Sequence, residues 1–275
     1  MDTSLFFIKY IKSIGTPKRA FNNRKQLSWP QIIAVFILLT LLMILPVYRH
    51  YSTIEVFSIQ DFYPNAIQLI NDETVDGLRR AAFTNDSLFL EGENYSVESA
   101  NGMVEIGKES SQFPLIEDEE NALLFGTESI LISDENGSTE IMPYSSNHSL
   151  NLVGNPKELI DKLSQIYTIQ NGSSIARTFT FVIYLFIVLA LLFMVFVYAY
   201  LVYIMKDFTL SINMNYKESV NLILNLMGLP TILALIYGFV RFNVVTMLAI
   251  QIICLIVILF VSFRQLKIQK QSVEK

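Results

Sequence analysis

The stretch TFTFVIYLFIVLALLFMVFVYAYLVYIM, residues 178–205, decides the class of this protein because it contains no charged residue. An apolar run longer than about 18 residues is typical of a helix that crosses a lipid bilayer. This run is longer than the hydrocarbon core requires, so we expect the helix to tilt or to project into the cytoplasm. The chain is therefore predicted to be an integral membrane protein.

Three further apolar blocks, residues 30–48, 220–240 and 244–263, predict three more spans. Before the first block, Ser28 suits an N-cap, Trp29 the membrane interface and Pro30 the first helical turn. The block is longer than the apolar core of a secretory signal and lacks a small-residue cleavage site after it. It is therefore interpreted as an uncleaved anchor, and the four spans as a four-helix transmembrane bundle.

Charge separates the middle of the chain from the rest. Residues 51–172 contain 21 Asp and Glu against 5 Lys and Arg, whereas the remaining residues contain 4 against 15. Such asymmetry indicates two environments rather than one uniformly acidic protein. We predict that residues 49–177 form an acidic domain inserted between transmembrane helices 1 and 2.

The pattern of the inserted domain predicts an α+β fold. Short β-rich segments are separated by Asn101-Gly102 and Asn136-Gly137, which are typical of hairpins, so we expect a small antiparallel sheet. Residues 65–82 have apolar positions at helical spacing. A second helix is predicted to begin at Pro156, with Asn155 as its N-cap.

Basic residues at both ends of the chain predict its orientation. Residues 1–29 carry six Lys and Arg and residues 264–275 carry four, so the positive-inside rule places both termini in the cytoplasm. Residues 206–219 then form a cytoplasmic loop, and residues 49–177 are extracytoplasmic. We interpret residues 1–29 as a basic amphipathic segment along the inner membrane surface, with a disordered basic tail as the alternative.

Residues that could carry catalysis or bind metal are sparse. The two histidines, His50 and His148, have no metal-ligand spacing, and the acidic run of residues 117–120 is interpreted as a solvated loop. Cys254 is the single cysteine, so no disulfide can form within one chain. We predict no catalytic residue, metal, cofactor or nucleic-acid partner.

The third span carries a line of polar and small residues. Glu218, Asn221, Asn225 and Gly228 share one face of a helix, and Pro230 follows, where we expect a kink or a local opening. Gln251 lies within the fourth span. Polar side chains avoid lipid, so these six residues, here called the polar stripe, form a possible intramembrane interaction surface. They act either as contacts between helices of this chain or as a groove for a substrate or partner.

The run from Ser13 to Arg24, SIGTPKRAFNNR, followed by Trp29 and a span containing Leu45-Pro46, resembles a family of Gram-positive membrane proteins. That family is known only as a domain of unknown function, and its members are often labelled maltodextrin-utilisation proteins. The resemblance implies the same layout over nearly the whole chain. It suggests a context of oligosaccharide use but no reaction. Residues 216–230 are also similar to the polar-then-proline element of Yip-type membrane proteins.

We therefore expect a non-enzymatic accessory or regulatory protein in a Gram-positive cell membrane. Besides the lipid bilayer, its partner would be a membrane protein or an envelope component. An auxiliary component of an oligosaccharide (maltodextrin) transport system is the first alternative. A cavity open to water and lined by Asn221, Asn225 and Gln251 would distinguish it. A membrane-anchored envelope enzyme is the second alternative and would require clustered carboxylates.

Overall fold

The computed structural model divides the chain into two compact units. Residues Met1–Thr53 and Ala176–Lys275 form the first, here called the helical unit, and Ile54–Ile175 form the second, here called the mixed unit. The described residues are 8, 10–11, 13–14, 16–84, 87–90, 95–99, 101–107, 109, 121–135, 138–144, 150, 153–205 and 214–273.

Among the described residues, four helices are long and apolar enough to cross a membrane. They are α2 (Trp29–Ser52), α5 (Pro156–Met205), α6 (Tyr216–Val240) and α7 (Val244–Val273), and the short α1 (Pro17–Asn22) precedes them. The prediction of four apolar helices accompanied by a small sheet region is confirmed. Each helix extends past its predicted apolar block because backbone hydrogen bonding continues through the flanking polar residues.

The start of α2 follows the signals in its sequence. The backbone N–H of Ser28 donates to Oε1 of Gln31 at 2.9 Å, and Pro30 lies in the first turn, where no N–H is needed. The helix continues through Pro46 and ends at Ser52, where the N–H of Thr53 donates to the carbonyl of Arg49 at 3.1 Å.

Helix α5 joins two features that the sequence analysis kept apart. The Oδ1 atom of Asn155 accepts the N–H of Glu158 at 3.0 Å, which confirms the predicted N-cap. From Pro156 the helix runs for 50 residues to Met205, through the polar residues around Arg177. Those polar residues interrupt the hydropathy pattern, but they do not interrupt the backbone hydrogen bonds, so the two predicted helices are one.

The helix predicted over residues 65–82 is wrong as a single element. It is divided into α3 (Pro64–Ile67) and α4 (Asp72–Arg79), and residues 81 and 82 enter a strand. The division occurs at Asn71, whose Oδ1 accepts the N–H of Thr74 at 2.9 Å and so begins a new helix.

The described strands of the mixed unit form two sheets. Strands β1 (Ala81–Thr84) and β2 (Ser87–Leu90) make an antiparallel hairpin. A five-stranded sheet follows in the order β3-β4-β5-β6-β7. Its strands are β3 (Tyr95–Ser99), β4 (Gly102–Ile106), β5 (Ala122–Phe125), β6 (Ser129–Asp134) and β7 (Ser138–Pro143).

The prediction of an antiparallel sheet is wrong at one pair of strands. Strand β4 runs parallel to β5, with Val104 opposite Leu123, while the other neighbours are antiparallel. A parallel pair requires a crossover of about a dozen residues or more, and the chain between Ile106 and Ala122 is long enough to provide it. The hairpin predicted at Asn101-Gly102 is confirmed, since β3 and β4 pair across it.

The core of the mixed unit includes the neighbouring strands β5 and β6. Leu123 and Phe125 of β5 and Ile130 and Ile132 of β6 are all fully buried. At the end of β6, the buried carboxylate of Asp134 accepts the backbone N–H groups of Asn65 at 2.8 Å and Ala66 at 3.2 Å. These bonds satisfy otherwise unpaired donors at the start of α3 and attach that helix to the sheet.

Candidate functional site

The polar stripe lies inside the helical unit rather than on its surface. Asn215 caps α6, since its Oδ1 accepts the N–H of Glu218 at 2.9 Å. Along the same helix, Asn221 and Asn225 are only 1% and 2% exposed. Lipid therefore does not reach these two amides, because other parts of the protein cover them.

The residues before α2 cover this face of α6. The Tyr10 hydroxyl donates to the carbonyl of Leu224 at 3.1 Å. In return, Nδ2 of Asn225 donates to the carbonyl of Ala20 at 3.3 Å. Tyr10 and Ala20 are themselves buried in the same hydrophobic core. We call the described residues from Ile8 to Leu27 the N-terminal segment.

Glycine at position 228 allows this close approach. A Cβ atom added to Gly228 would lie 2.5 Å from Cγ1 and 2.7 Å from Cδ1 of Ile14. Such distances are well inside van der Waals contact, so any larger residue at this position would force the Ile14 side chain to move. Gly228 is thus explained by packing.

The same segment supplies positive charge to Glu218. Nε of Arg24 lies 3.4 Å from Oε2 of Glu218, and Nζ of Lys25 lies 3.9 Å from Oε1. The Glu218 and Arg24 side chains are 13% and 15% exposed, so solvent screens their attraction only partly. Arg24 also donates to the carbonyl of Phe21 at 3.0 Å. The ion pair therefore holds the end of the N-terminal segment against the start of α6.

The residues of the polar stripe make two separate sets of contacts. Nε2 of Gln251 donates to Oγ1 of Thr231 at 2.9 Å, a buried bond that joins α7 to α6. Thr231 follows Asn221 by ten residues, or about 15 Å along a helix. Gln251 therefore belongs to a second contact between helices, apart from the asparagines.

Pro230 lies within α6, which is unbroken from Tyr216 to Val240. The local opening of the helix that was predicted there is absent from this described segment. Proline removes one backbone hydrogen bond, but the helix continues through this position.

Asn221 differs from Asn225 in its hydrogen bonding. Both polar atoms of its amide are buried, and neither has a hydrogen-bond partner among the described residues. An unsatisfied buried amide costs about 1–3 kcal/mol. Oε1 of Gln251 is in the same condition, although its Nε2 is bonded. Asn221 is thus the stripe residue that the fold itself does not explain.

Sequence reasoning found the α6 side of this contact but missed its other side. Tyr10, Ile14, Ala20 and Arg24 were assigned to a segment at the membrane surface, and Thr231 was not singled out. A signal did exist, because the run from Ser13 to Arg24 is the one that carries the family resemblance. Its individual contacts could not be derived from spacing.

Of the two histidines, His50 has a structural explanation. The ring of His50 stacks on Phe242 with centroids 4.1 Å apart and meets Tyr51 edge-on at 5.1 Å. Residues 117–120 and His148 lie outside the described residues. Within the described part of the chain, no group of three or more His, Cys, Asp or Glu side chains could hold a metal ion.

The described part of the mixed unit contains a cavity of about 600 Å³ and another of about 350 Å³. The larger is largely apolar, and its one charged side chain is Arg79. That guanidinium is already occupied, since it donates to Asp76 at 2.8 Å and to the carbonyl of Gly154 at 2.7 Å. The smaller lies between residues 56–60 and the first turns of α5. Five of the seven residues that line it have polar side chains.

Tyr144 is a buried titratable group of the mixed unit. The hydroxyl of Tyr144 donates to the carbonyl of Gly126 at 3.0 Å, and its ring meets Phe83 edge-on at 5.5 Å. Burial raises the pKa of Tyr144 well above its ordinary value, because the phenolate would lose its hydration. The phenol therefore acts as a neutral hydrogen-bond donor.

Relatives of this chain occur in Gram-positive bacteria. It is 24% identical over 261 residues to the maltodextrose utilization protein MalA of Streptococcus pneumoniae, covering 92% of this chain and 93% of MalA. It is also 24% identical over 144 residues to the protein named maltodextrin utilization protein YvdJ of Bacillus subtilis, a match that covers 50% of this chain and 49% of YvdJ. No solved structure matches the chain.

One family accounts for nearly the whole sequence. Its match extends over residues 7–263, which include the N-terminal segment, the mixed unit and the apolar blocks of all four long helices. The resemblance seen in the sequence is therefore confirmed at the level of the family, while the likeness to Yip-type proteins stays a prediction. The chain belongs to the family described as "Protein of unknown function (DUF1189)".

Proposed function

We propose that this protein is a non-enzymatic accessory or regulatory membrane protein of a Gram-positive cell envelope, serving the use of maltodextrin-type oligosaccharides. The observation that carries the proposal is the relative named a maltodextrose utilization protein, which aligns with 92% of this chain. An alignment of that extent includes both units, so a shared role would involve the whole molecule.

In this proposal both termini lie in the cytoplasm and residues 49–177 lie outside the cell membrane. Support comes from the ten Lys and Arg of residues 1–29 and 264–275, which favour the cytoplasmic side. The acidic balance of residues 51–172 is compatible with the outer side. The ion pair between Arg24 and Glu218 joins the start of α6 to the N-terminal segment. This contact agrees with a cytoplasmic location for both.

The two units would have separate partners. The mixed unit would bind a protein or a component of the envelope, and the helical unit would dock another membrane protein. Asn221 supports the second part, because its buried amide has no hydrogen-bond partner among the described residues and this arrangement is unfavourable for stability. Such a cost is understandable where the amide bonds a partner in another conformation or assembly.

A component of the transport path itself is the second candidate, favoured by the names of the relatives. It would require Asn221, Asn225 and Gln251 to line a cavity open to water. All three are at most 2% exposed, and the N-terminal segment bonds to Asn225. This burial supports an accessory role over a water-filled path along the polar stripe.

The proposal is tested by deleting the gene and growing the strain on maltodextrin as sole carbon source, with glucose as the control. We expect slower growth on maltodextrin alone, restored by the wild-type chain. Purification in mild detergent should recover the same maltodextrin-related membrane protein from repeated preparations. Equal growth of the deletion strain on both sugars would contradict the role in oligosaccharide use.

Orientation is tested with impermeant thiol reagents in intact cells, after Cys254→Ser removes the native thiol. Lys18→Cys should resist labelling and Glu98→Cys should react, since both positions are exposed in the structure. A cysteine at Ser13 would be uninformative, because that residue is only 2% exposed and would resist labelling on either side. Labelling of Lys18→Cys in intact cells would overturn the orientation.

A further inference from the structure

The smaller cavity of the mixed unit has fixed walls. One wall is the chain over residues 56–60, and the other is the start of α5. Two hydroxyl residues of α5 tie them together: Oγ of Ser164 accepts the N–H of Ile59 at 3.1 Å, and Oγ1 of Thr168 accepts the N–H of Phe57 at 2.8 Å. Ile59 is also fully buried. The cavity is therefore preformed, as is usual for small-molecule sites.

Four polar side chains around this cavity have no partner among the described residues. Ser58, Gln60, Lys157 and Asp161 line it, and none of their side chains makes a hydrogen bond or ion pair with the described residues. The structure thus presents a hydroxyl, an amide, an ammonium and a carboxylate to one space of about 350 Å³. These groups can both donate to and accept from a ligand.

The chemistry of the lining selects a class of ligand. Lys157 and Asp161 balance each other in charge, and the acidic surroundings disfavour an anion. A purely apolar ligand would deprive the four polar groups of water without replacing their hydrogen bonds. Val56 and Ile160 add an apolar surface. A neutral ring bearing several hydroxyls satisfies all three conditions, since each hydroxyl both donates and accepts.

The larger cavity offers a contrast within the same unit. Leu78, Phe83, Leu150 and Val153 make its lining largely apolar, and its arginine is bonded to Asp76 and Gly154. It presents no comparable set of free donors and acceptors. Size alone would favour the larger space, whereas hydrogen-bonding capacity favours the smaller one.

We infer that the cavity between residues 56–60 and the start of α5 binds the end of a neutral oligosaccharide, with Gln60, Lys157 and Asp161 bonding its hydroxyls. The inference rests on the proposed role in oligosaccharide use, because that role names the class of compound. It adds a site and a direct binding activity, neither of which the proposed role requires.

The test measures maltotriose binding to the full-length protein in lipid nanodiscs by titration calorimetry. Asp161→Ala should weaken binding about tenfold or more, and Gln60→Ala about 2- to 10-fold, as expected for one lost charged or neutral hydrogen bond. Matched controls are Glu98→Ala and Gln165→Ala, which remove an exposed carboxylate and an exposed amide elsewhere. Both controls should bind as the wild type does.

Each result of this binding experiment either supports or overturns the inferred site. All four substitutions are at exposed positions, so thermal unfolding should show unchanged stability. If the wild type binds and Asp161→Ala and Gln60→Ala bind equally well, the site is wrong and the proposed function stands. If the wild type binds no maltotriose, the inference fails, while growth of the deletion strain still decides the proposed function independently.

Discussion

The two units place polar and apolar side chains in opposite ways. In the helical unit, Phe181 and Phe193 of α5 are 65% and 72% exposed, while Asn221 is 1% exposed. In the mixed unit, Phe125 is fully buried and the surface is acidic. One rule explains both arrangements. Each unit exposes the side chains that its surroundings solvate, and these surroundings are lipid for the helical unit and water for the mixed unit.

The largest expected effect tests this comparison directly. Phe193→Arg replaces a lipid-facing ring near the middle of an apolar helix and should reduce membrane insertion by about 3 kcal/mol. Ile141→Arg alters a side chain that is 57% exposed on an edge strand of the mixed unit and should change stability by less than about 0.5 kcal/mol. Membrane-inserted protein is measured by quantitative blotting of membrane fractions.

Equal losses for these two substitutions would contradict the comparison, because they would show that both surfaces face the same solvent.

Replacing a buried polar group is expected to destabilise the protein most where all of its hydrogen bonds are made. Asp134→Asn leaves one oxygen for the backbone donors of Asn65 and Ala66, but it places an amide N–H against Nδ2 of Asn65, which donates to the other carboxylate oxygen at 3.0 Å. The loss of this bond and of the charge should destabilise the mixed unit by about 2 kcal/mol. The measurement is urea unfolding of residues 54–175 produced alone, which we expect to be a soluble, folded monomer. Its charge balance favours solubility, and its lack of cysteine makes its stability independent of reductant.

An exposed carboxylate provides the control: Glu98→Gln should leave the urea midpoint unchanged. If Asp134→Asn behaves in the same way, Asp134 does not anchor α3 to the sheet.

Alkaline pH should destabilise the mixed unit through Tyr144. Because burial raises the pKa of this phenol, the unfolded chain releases its proton first as pH rises above about 10. The contribution of the neutral phenol to the free energy of unfolding is therefore fully present below the pKa of the unfolded chain. Above that pKa it falls by about 1 kcal/mol per pH unit. Urea unfolding at pH 9 and pH 11 measures the loss, and Tyr144→Phe should be less sensitive to this change of pH.

The smallest effects are expected within the polar stripe, where they separate its two asparagines. Asn225→Leu removes the bond to the carbonyl of Ala20 and should cost about 1 kcal/mol or less. Asn221→Leu removes an amide without a partner in the described chain, and so should be neutral or slightly stabilising. Abundance in the membrane and recovery of the co-purifying protein are measured together.

Loss of the co-purifying protein from Asn221→Leu at normal abundance would assign this residue to an intermolecular contact. A parallel fall of abundance and recovery in both variants would instead limit the polar stripe to contacts between helices of this chain.

Local signals of helix start and of membrane span could be derived from the sequence. The capping of α2 and of α5 was readable from Ser28 and Asn155, because a cap depends on neighbours within a few residues. The break at Asn71 was missed, since apolar spacing continued across it while the cap chemistry favoured a new helix. The parallel pairing of β4 with β5 was missed because turn signals reveal hairpins and not crossovers.

The sequence by itself determined the four apolar helices and the division of charge, because hydropathy and charge are properties of composition. It also determined that Glu218, Asn221, Asn225 and Gly228 share a face, because helical spacing is local. Only the tertiary structure decided that Tyr10, Ile14 and Arg24 cover that face. Contacts across some 200 residues depend on how complete surfaces fit, and no local pattern specifies them.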